Sequence, residues 1–297
     1  EVRKTMRNEK KTRRALGKSA VVAIAAALTL TIAVAGGIVT LIRADVSPAD
    51  KVDDTTHHAF TDDLDATTPT VDDGKGNAVS VPDMERIPGD VATTQRLVGK
   101  YLSKLDAEMT VEGNTIRLGT LLIDESGSGM LTYSVENPDG VKYTDAGYGE
   151  AVDMSAEPSM WLGSAPDAQG YGGTCISSRC HVDEDASTDT RLQVVLYFAA
   201  GKDFQKGDDL YFTVYDSARQ PYSIAIQPQT YVPVKTMTAK NGELVTLSAL
   251  GMTIVNPDPS REIHTDEVLV NAKDGSSFAV ESSSKKNRLS AKFAFTC

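Results

Sequence analysis

Cysteine and histidine are both rare in this sequence, which has three cysteines and four histidines in 297 residues. It contains no Cys-x-x-Cys pair that could begin a zinc site. It also contains no Gly-x-Ser-x-Gly, His-Glu-x-x-His or phosphate-binding loop. These absences argue against a serine hydrolase, a zinc protease and a nucleotide-binding enzyme. We therefore expect no catalytic residues, no bound cofactor and no metal site, and we do not expect an enzyme.

Basic residues are scarce after residue 43. The first 43 residues carry nine Lys or Arg against two Asp or Glu, and the other 254 residues carry 21 against 39, net −18. Near the start, residues 19–42 form an uncharged run between Lys18 and Arg43. As a helix this run would be about 36 Å long, enough to cross a hydrocarbon core of about 30 Å. The sequence therefore predicts a transmembrane helix at residues 19–42, with the lipid bilayer as its partner.

The charge asymmetry also predicts an orientation. Basic residues beside an apolar span stay in the cytoplasm, so residues 1–18 form a basic cytoplasmic tail and the acidic remainder is extracellular. Arg13-Arg14 and Ala33-Val34-Ala35 leave open a cleaved twin-arginine export signal instead of a retained anchor. Because the sequence opens on Glu1, we expect the tail to be the stub of a longer cytoplasmic region. No folded nucleic-acid-binding domain accompanies the tail, so we expect no nucleic acid partner.

The next segment, residues 43–89, is acidic and has no apolar periodicity. Aspartate pairs such as Asp53-Asp54 and Asp72-Asp73 recur in it. Such a composition predicts a disordered, extended linker, in which His57-His58 would be solvated rather than metal-bound. A short helix is predicted after it, over residues 90–109, because one apolar stripe runs along Leu97, Val98, Tyr101, Leu102 and Leu105.

From residue 110 the apolar residues recur with the period of two that is typical of strands. This alternation appears at Ile116–Leu122, Leu131–Val135, Leu192–Phe198, Leu210–Val214, Tyr222–Ile226, Val245–Ile254, Val268–Val270, Phe278–Val280 and Leu289–Phe295. Asn241-Gly242 and Asp274-Gly275 between apolar runs indicate hairpins. The predicted fold class is therefore mainly β, with two β-sandwich-like, immunoglobulin-like ectodomain modules at residues 90–230 and 231–297. We expect the second module to continue past Cys297.

A long irregular segment, residues 141–189, interrupts the first module. It holds four aromatic residues, Tyr143, Tyr148, Trp161 and Tyr171, the last in a glycine-rich run. Long loops within compact domains are often functional, so these aromatics are a candidate binding surface for an unknown extracellular ligand or protein. The alternative, that Trp161 and Met160 plug the end of the sandwich, stays open.

The cysteines lie late in the chain, at positions 175, 180 and 297. Outside the membrane Cys175 and Cys180 can form a disulfide that closes a small loop. A partial zinc site at Cys175, Cys180 and His181 is the alternative. Cys297 is left without an assigned partner.

Two stretches of the second module carry a family resemblance. Residues 247–254, Leu-Ser-Ala-Leu-Gly-Met-Thr-Ile, and then Lys273-Asp274-Gly275-Ser276, resemble the C-terminal half of a membrane-protein family found mostly in Gram-positive bacteria. That family has Ser-Pro-Leu-Gly where this chain has Ala249 in place of proline. Its β-rich ectodomain has no known function. Residues 116–119 and 131–135 are similar to its first pair of strands.

The resemblance implies a regulatory role. Family members often carry an anti-sigma-factor-like cytoplasmic part and are often associated with extracytoplasmic-function sigma factors. It therefore implies a single-pass cell-membrane protein that senses a cue outside the cell, with a sigma factor as partner through the longer cytoplasmic region expected above. The alternative is a membrane-anchored extracellular binding or adhesion module that uses the aromatic segment.

Overall fold

The structure, a computed structural model, describes residues 29–34, 37–62, 70–72, 78–80, 83–84, 87–88, 91–145, 150–153, 160–166, 177–199, 204–263, 267–271 and 277–292. Within these residues the protein is mainly β, as the alternating pattern predicts. The helices are α1 (Asp54–Phe60) and α2 (Val91–Val98), followed by a 3-10 turn (Gly99–Tyr101).

The strands of the N-terminal half are β1 (Thr29–Val34), β2 (Gly37–Arg43), β3 (Asp45–Pro48), β4 (Thr61–Asp62), β5 (Thr70–Asp72), β6 (Ala78–Ser80), β7 (Asp83–Met84), β8 (Ile87–Pro88), β9 (Ser103–Asp106), β10 (Glu108–Val111), β11 (Asn114–Ile123), β12 (Ser128–Glu136), β13 (Lys142–Asp145) and β14 (Glu150–Asp153). Those of the C-terminal half are β15 (Met160–Gly163), β16 (Ser177–Val182), β17 (Arg191–Ala199), β18 (Leu210–Tyr215), β19 (Pro221–Ile226), β20 (Lys235–Thr238), β21 (Leu244–Leu247), β22 (Gly251–Val255), β23 (Glu267–Asn271), β24 (Ser277–Lys285) and β25 (Arg288–Lys292).

Two sheets share the main hydrophobic core. One has the order β1-β2-β19-β18-β15 and the other the order β16-β17-β12-β11-β9-β3, with β10 also paired to β11. The core joins Leu118, Tyr133 and Leu196 of the second sheet to Phe212 and Ile224 of the first. The rings of Tyr133 and Phe212 meet with their centroids 5.1 Å apart. This face-to-face packing is the sandwich arrangement expected from strands with alternating apolar residues.

The outer face of the second sheet carries a smaller core. Helices α1 and α2 contribute Ala59 and Val98, which pack with Met130 and Tyr197 of the sheet in one cluster with Leu250. The Tyr197 hydroxyl donates to the carbonyl of Ala59 over 3.0 Å. Because β12 and β17 are covered on both faces, their buried residues are nearly continuous, as is usual for such strands.

The remaining large sheet forms the C-terminal module. Its order is β20-β21-β22-β25-β24-β23, and the short β7 pairs in parallel with β24. The turn between β20 and β21 contains Gly242 at a φ of +93°, which glycine adopts without steric cost. The hairpin predicted from Asn241-Gly242 is confirmed.

The structure differs from the predicted transmembrane helix. Residues 29–34 and 37–43 are strands β1 and β2, which pair with each other, and β2 pairs in parallel with β19. An unbroken apolar run has no period that separates strand from helix, and β-branched residues such as Ile32, Val34, Ile38 and Val39 favour strands. The helix prediction is therefore wrong for these residues in this structure, and residues 19–28 and Lys18 lie outside the described part. In that part, neither helix has the length or the apolar character that a membrane span needs.

The acidic segment also differs from the prediction of a disordered linker. Residues 45–48 form β3, which pairs with β9, and residues 54–60 form α1. Asp53 begins this helix by accepting a 2.7 Å hydrogen bond from the backbone N–H of Thr56. Thr56 and Ala59 are buried against the sheet. A few buried residues in tertiary contact therefore order a segment whose composition alone favours disorder.

The helix predicted for residues 90–109 ends earlier. Helix α2 stops at Val98, and residues 103–106 are strand β9, where Ser103 and Leu105 are buried while Lys104 and Asp106 are exposed. Leu105 fits both a helical stripe and a strand of period two. Residues 103–106 form a strand rather than a helix because β9 pairs with β3 and β11.

Candidate functional site

The turn between β11 and β12 holds the most heavily hydrogen-bonded carboxylate of the described residues. Asp124 is only 3% exposed. Its Oδ1 accepts from the N–H of Ser126 (2.9 Å), the hydroxyl of Ser126 (2.6 Å) and the N–H of Ser128 (3.0 Å). Its Oδ2 accepts from the hydroxyl of Ser248 over 2.7 Å. Four donors therefore hold this buried charge, which without partners would be costly.

The bond to Ser248 crosses between the sandwich and the C-terminal module. The Ser248 hydroxyl also accepts from the N–H of Leu250 over 3.0 Å, and Leu250 packs in the core beneath helices α1 and α2. One carboxylate and one hydroxyl thus join the turn between β21 and β22 of the C-terminal module to the β11–β12 turn of the sandwich.

The neighbouring Glu125 fixes the segment that connects the two modules. Its Oε1 lies 2.8 Å from the Lys206 ammonium and its Oε2 accepts from the N–H of Val234 over 3.1 Å. The Lys206 hydrogen bond, helped by the Val234 N–H, lowers the pKa of Glu125. On the backbone, Glu125 and Val232 are joined by a 3.1 Å hydrogen bond. We call residues 124–128 together with 232–234 the joint.

A cleft of about 40 Å³ with a mixed polar and apolar lining opens beside the joint. Both modules line it: hydroxyl groups come from Ser126, Ser128, Thr246, Ser248 and Thr253, and Arg288 contributes a guanidinium group. None of the ion pairs among the described residues involves Arg288, and its side chain is exposed. Ligand sites often lie at such boundaries between domains.

Sequence reasoning missed this cleft. The residues 125–129 were recognisable only as a turn, and Asp124 two residues before a serine is the pattern of an Asx-turn. Asp258 and Ser260 repeat that pattern with the same local bonds, of 2.9 and 2.6 Å, in an exposed loop. The pattern therefore indicates a turn. Asp124 becomes part of a site only through its tertiary contact with Ser248.

Two of the four aromatic residues that were predicted to form a binding surface lie within the described residues. Tyr143 lies in β13, which forms a two-stranded sheet with β14, and Trp161 lies in β15, which pairs with β18 of the sandwich. Tyr148 and Tyr171 lie outside the described residues. The prediction of one long irregular loop is wrong, because residues 141–189 contain β13, β14, β15 and β16. The structure places Tyr143 and Trp161 in different sheets.

Arg43, predicted to flank a membrane span, is the last residue of β2. Its Nη2 lies 3.1 Å from Asp209 Oδ2, between partly exposed side chains. Ala44, the next residue, donates from its N–H to the carbonyl of Ala225 over 2.9 Å. These two contacts attach the apolar hairpin to the sandwich.

The histidine pair lies in α1 rather than in a solvated linker. His57 Nδ1 is 3.2 Å from the Thr94 hydroxyl, and His58 Nδ1 is 3.3 Å from Asp183 Oδ2. Among the described residues, no three His, Cys, Asp or Glu side chains lie close enough to hold a metal ion. The pair therefore helps attach α1 to α2 and to the loop after β16.

Cys180 lies in β16, where it is half-buried and forms no disulfide bond with a described residue. Its sulfur is 3.7 Å from the hydroxyl of Tyr133. Burial raises the pKa of the Cys180 thiol, although the Tyr133 hydrogen bond opposes that shift, and burial raises the pKa of Tyr133 strongly. Cys175 lies outside the described residues, so the Cys175–Cys180 disulfide stays a prediction.

We expect Cys180 to react slowly with iodoacetamide in the reduced, folded protein. The thiolate is the reactive form, and a raised pKa leaves less thiolate at any pH below it, so the rate should still be rising above pH 9. Peptide mapping of the alkylated protein after timed quenching measures the rate at each cysteine. In urea, where burial is lost, Cys180 should react at the rate of a free cysteine; equal rates with and without urea would contradict the burial argument.

In comparisons with known proteins, no protein-family model and no curated protein matches this chain.

Proposed function

We propose that this protein is a membrane-anchored sensor of the bacterial envelope, whose extracellular β region binds a ligand at the cleft between its two modules. The observation that carries the proposal is the joint. Asp124 and Ser248 line the cleft and bond to each other across the two modules, so a ligand in the cleft would touch groups that fix how the modules meet. Beside them, Glu125 holds the connecting segment through the N–H of Val234. A site at a moving boundary can convert binding into a change of domain arrangement.

Charge supports the extracellular placement. Residues 1–43 are net +7 and residues 44–297 are net −18, as the positive-inside rule requires for a cytoplasmic tail and an exported remainder. The family resemblance adds a sigma factor as a cytoplasmic partner and a regulatory output. Immunoglobulin-like connectivity of both modules belongs to the same proposal, since their strands are mostly antiparallel and joined by short turns.

Anchoring requires β1 and β2 to leave the sheet. They lie at its edge, and Leu41 and Ile42 are only half-buried there. In a bilayer the same residues would satisfy every backbone N–H and C=O within a helix, and the apolar run would be removed from water. The four-residue pairing of β2 with β19 and the Arg43–Asp209 ion pair are what insertion would break.

A protease experiment on intact bacterial cells tests the topology. With the full chain expressed under an N-terminal cytoplasmic tag, external protease should degrade the β region and leave the tag intact. A variant that lacks residues 19–42 should instead remain inside the cell and be protected. Protection of the β region in intact cells, with degradation after lysis, would contradict the proposal.

An adhesion module is the second candidate, favoured by one observation. The hairpin β13–β14, which carries Tyr143, is hydrogen-bonded to no other strand among the described residues, and in this proposal its strand edge pairs with the partner. It belongs to the segment that the sequence indicates as a binding surface.

A further inference from the structure

The cleft at the joint is lined by one arginine and by five serine and threonine residues. Arg288 takes part in no ion pair among the described residues. Thr246 and Thr253, which face each other across β21 and β22, also line the cleft. From these groups the geometry points to a carboxylate-bearing small molecule as the ligand, held by the Arg288 guanidinium and by the cleft hydroxyls.

The guanidinium favours this chemistry. Its planar fork of N–H donors matches the two oxygens of a carboxylate, and such charge-assisted pairs are among the stronger hydrogen bonds in proteins. Serine and threonine hydroxyls can donate to the same oxygens. Arg288 begins β25 directly after the turn residues Lys286 and Asn287, and Lys285 ends β24. The positive charge of Arg288, which lines the cleft, makes the cleft attractive to anions in a protein whose net charge is negative.

Size and charge select a carboxylate over larger anions. A volume of about 40 Å³ corresponds to about three water positions at 10–15 Å³ each, which fits one carboxylate group. A phosphate would bring a charge close to −2 into a cleft already lined by the carboxylate of Asp124. Repulsion grows with that charge, so the monoanion is preferred.

Ligand binding would act on the joint. Ser248 lines the cleft and also donates to Asp124, so a carboxylate that accepts from the Ser248 hydroxyl competes with Asp124 for the same proton. The ligand would thereby loosen the contact that holds β21 to the sandwich. This assignment rests on the proposed function only in taking the cleft as its ligand site, and it does not depend on which side of the membrane the β region occupies.

Saturation-transfer NMR on the full chain in detergent micelles tests the assignment. N-acetylalanine is the carboxylate probe, and N-acetylalanine amide, its neutral counterpart, is the control ligand. We expect a saturable signal from the acid and none from the amide. Arg288→Met should weaken binding of the acid at least about tenfold, because a charge-assisted pair is lost. Arg288→Lys should weaken binding less, because lysine keeps the positive charge but lacks the planar pair of N–H donors.

The control protein is Arg96→Met, which removes an exposed arginine of α2 away from the cleft and should bind within about twofold of the unmodified chain. Unchanged thermal unfolding of the variants excludes loss of fold as the cause. Equal signals from acid and amide, or an unweakened Arg288→Met, would overturn the assignment. Displacement of the acid by inorganic phosphate at lower concentration than by acetate would also overturn it. A failed topology experiment would leave these outcomes unaffected, so the two proposals fail separately.

Discussion

Asp124→Ala is expected to lower the free energy of unfolding by about 3 kcal/mol or more, because four donors lose a charged acceptor and each such bond contributes about 1.5–3 kcal/mol before relaxation. The affected donors are Ser126, Ser128 and Ser248. Urea unfolding measures the loss. Trypsin cleavage after the exposed Lys235, in the strand that follows the joint, should accelerate in the same variant, because the connecting segment is no longer fixed.

Two further variants separate the local turn from the joint. Asp258→Ala removes the same bonds to a serine two residues on, but in an exposed loop, and should cost much less and leave cleavage unchanged. Ser248→Ala keeps the Asp124 turn but removes the Ser248–Asp124 bond between the modules and the bond that Ser248 accepts from the N–H of Leu250. It should accelerate cleavage, with a loss of stability of about 1–2 kcal/mol. If Asp124→Ala and Asp258→Ala behave alike, the joint has no special role.

Gly129→Ala is expected to cost about 3 kcal/mol, at the upper end for overpacking. Gly129 lies in β12 between Ile123 of β11 and Phe198 of β17. A Cβ there would lie 2.2 Å from the carbonyl oxygen of Leu122 and 2.7 Å from Phe198 Cζ. The carbonyl belongs to the backbone of a central strand, so it cannot move without disturbing the ladder. Urea unfolding at a fixed temperature gives the difference.

Gly99→Ala is the matched control. Its Cβ would also meet a neighbour closely, but that neighbour is the end of the Gln95 side chain, which can rotate away. The expected loss is about 1 kcal/mol, mainly from the hydrogen bond that Gln95 accepts from the N–H of Val52. Equal losses at the two glycines would mean that the close approach at Gly129 is relieved by strand movement.

The predicted strands were found where the sequence alternates between apolar and polar residues. Strands β17 and β18 hold apolar residues at every second position, and these residues build the main core. In β11 a register shift after Leu118 turns Leu121 and Ile123 toward this core, and Leu122 packs on the opposite face. Alternation is a local property, so it is readable without the partner strands. The same reasoning failed for residues 29–42 and 90–109, where apolar residues fit two periods and pairing with distant strands decided the outcome.

Buried hydroxyl groups show a second limit. Thr56 of α1, Thr120 of β11 and Thr132 of β12 form a chain of hydrogen bonds of 2.9 and 3.0 Å. In sequence each is an ordinary polar residue, and Thr56 falls in a segment whose acidity predicts disorder. Only the helix above the sheet removes these hydroxyls from water, and their mutual bonds then compensate for the burial.

Local sequence patterns alone predict that this protein is mainly β, that its charge changes sign near residue 43, and that Asn241-Gly242 closes a hairpin. These follow from neighbours along the chain: side-chain alternation, net charge and turn residues. Tertiary structure alone decided that Asp124 meets Ser248, that Glu125 meets Lys206, and that Arg288 faces their cleft. Those partners are separated by 124 and 81 residues, and no local pattern specifies contacts over such distances.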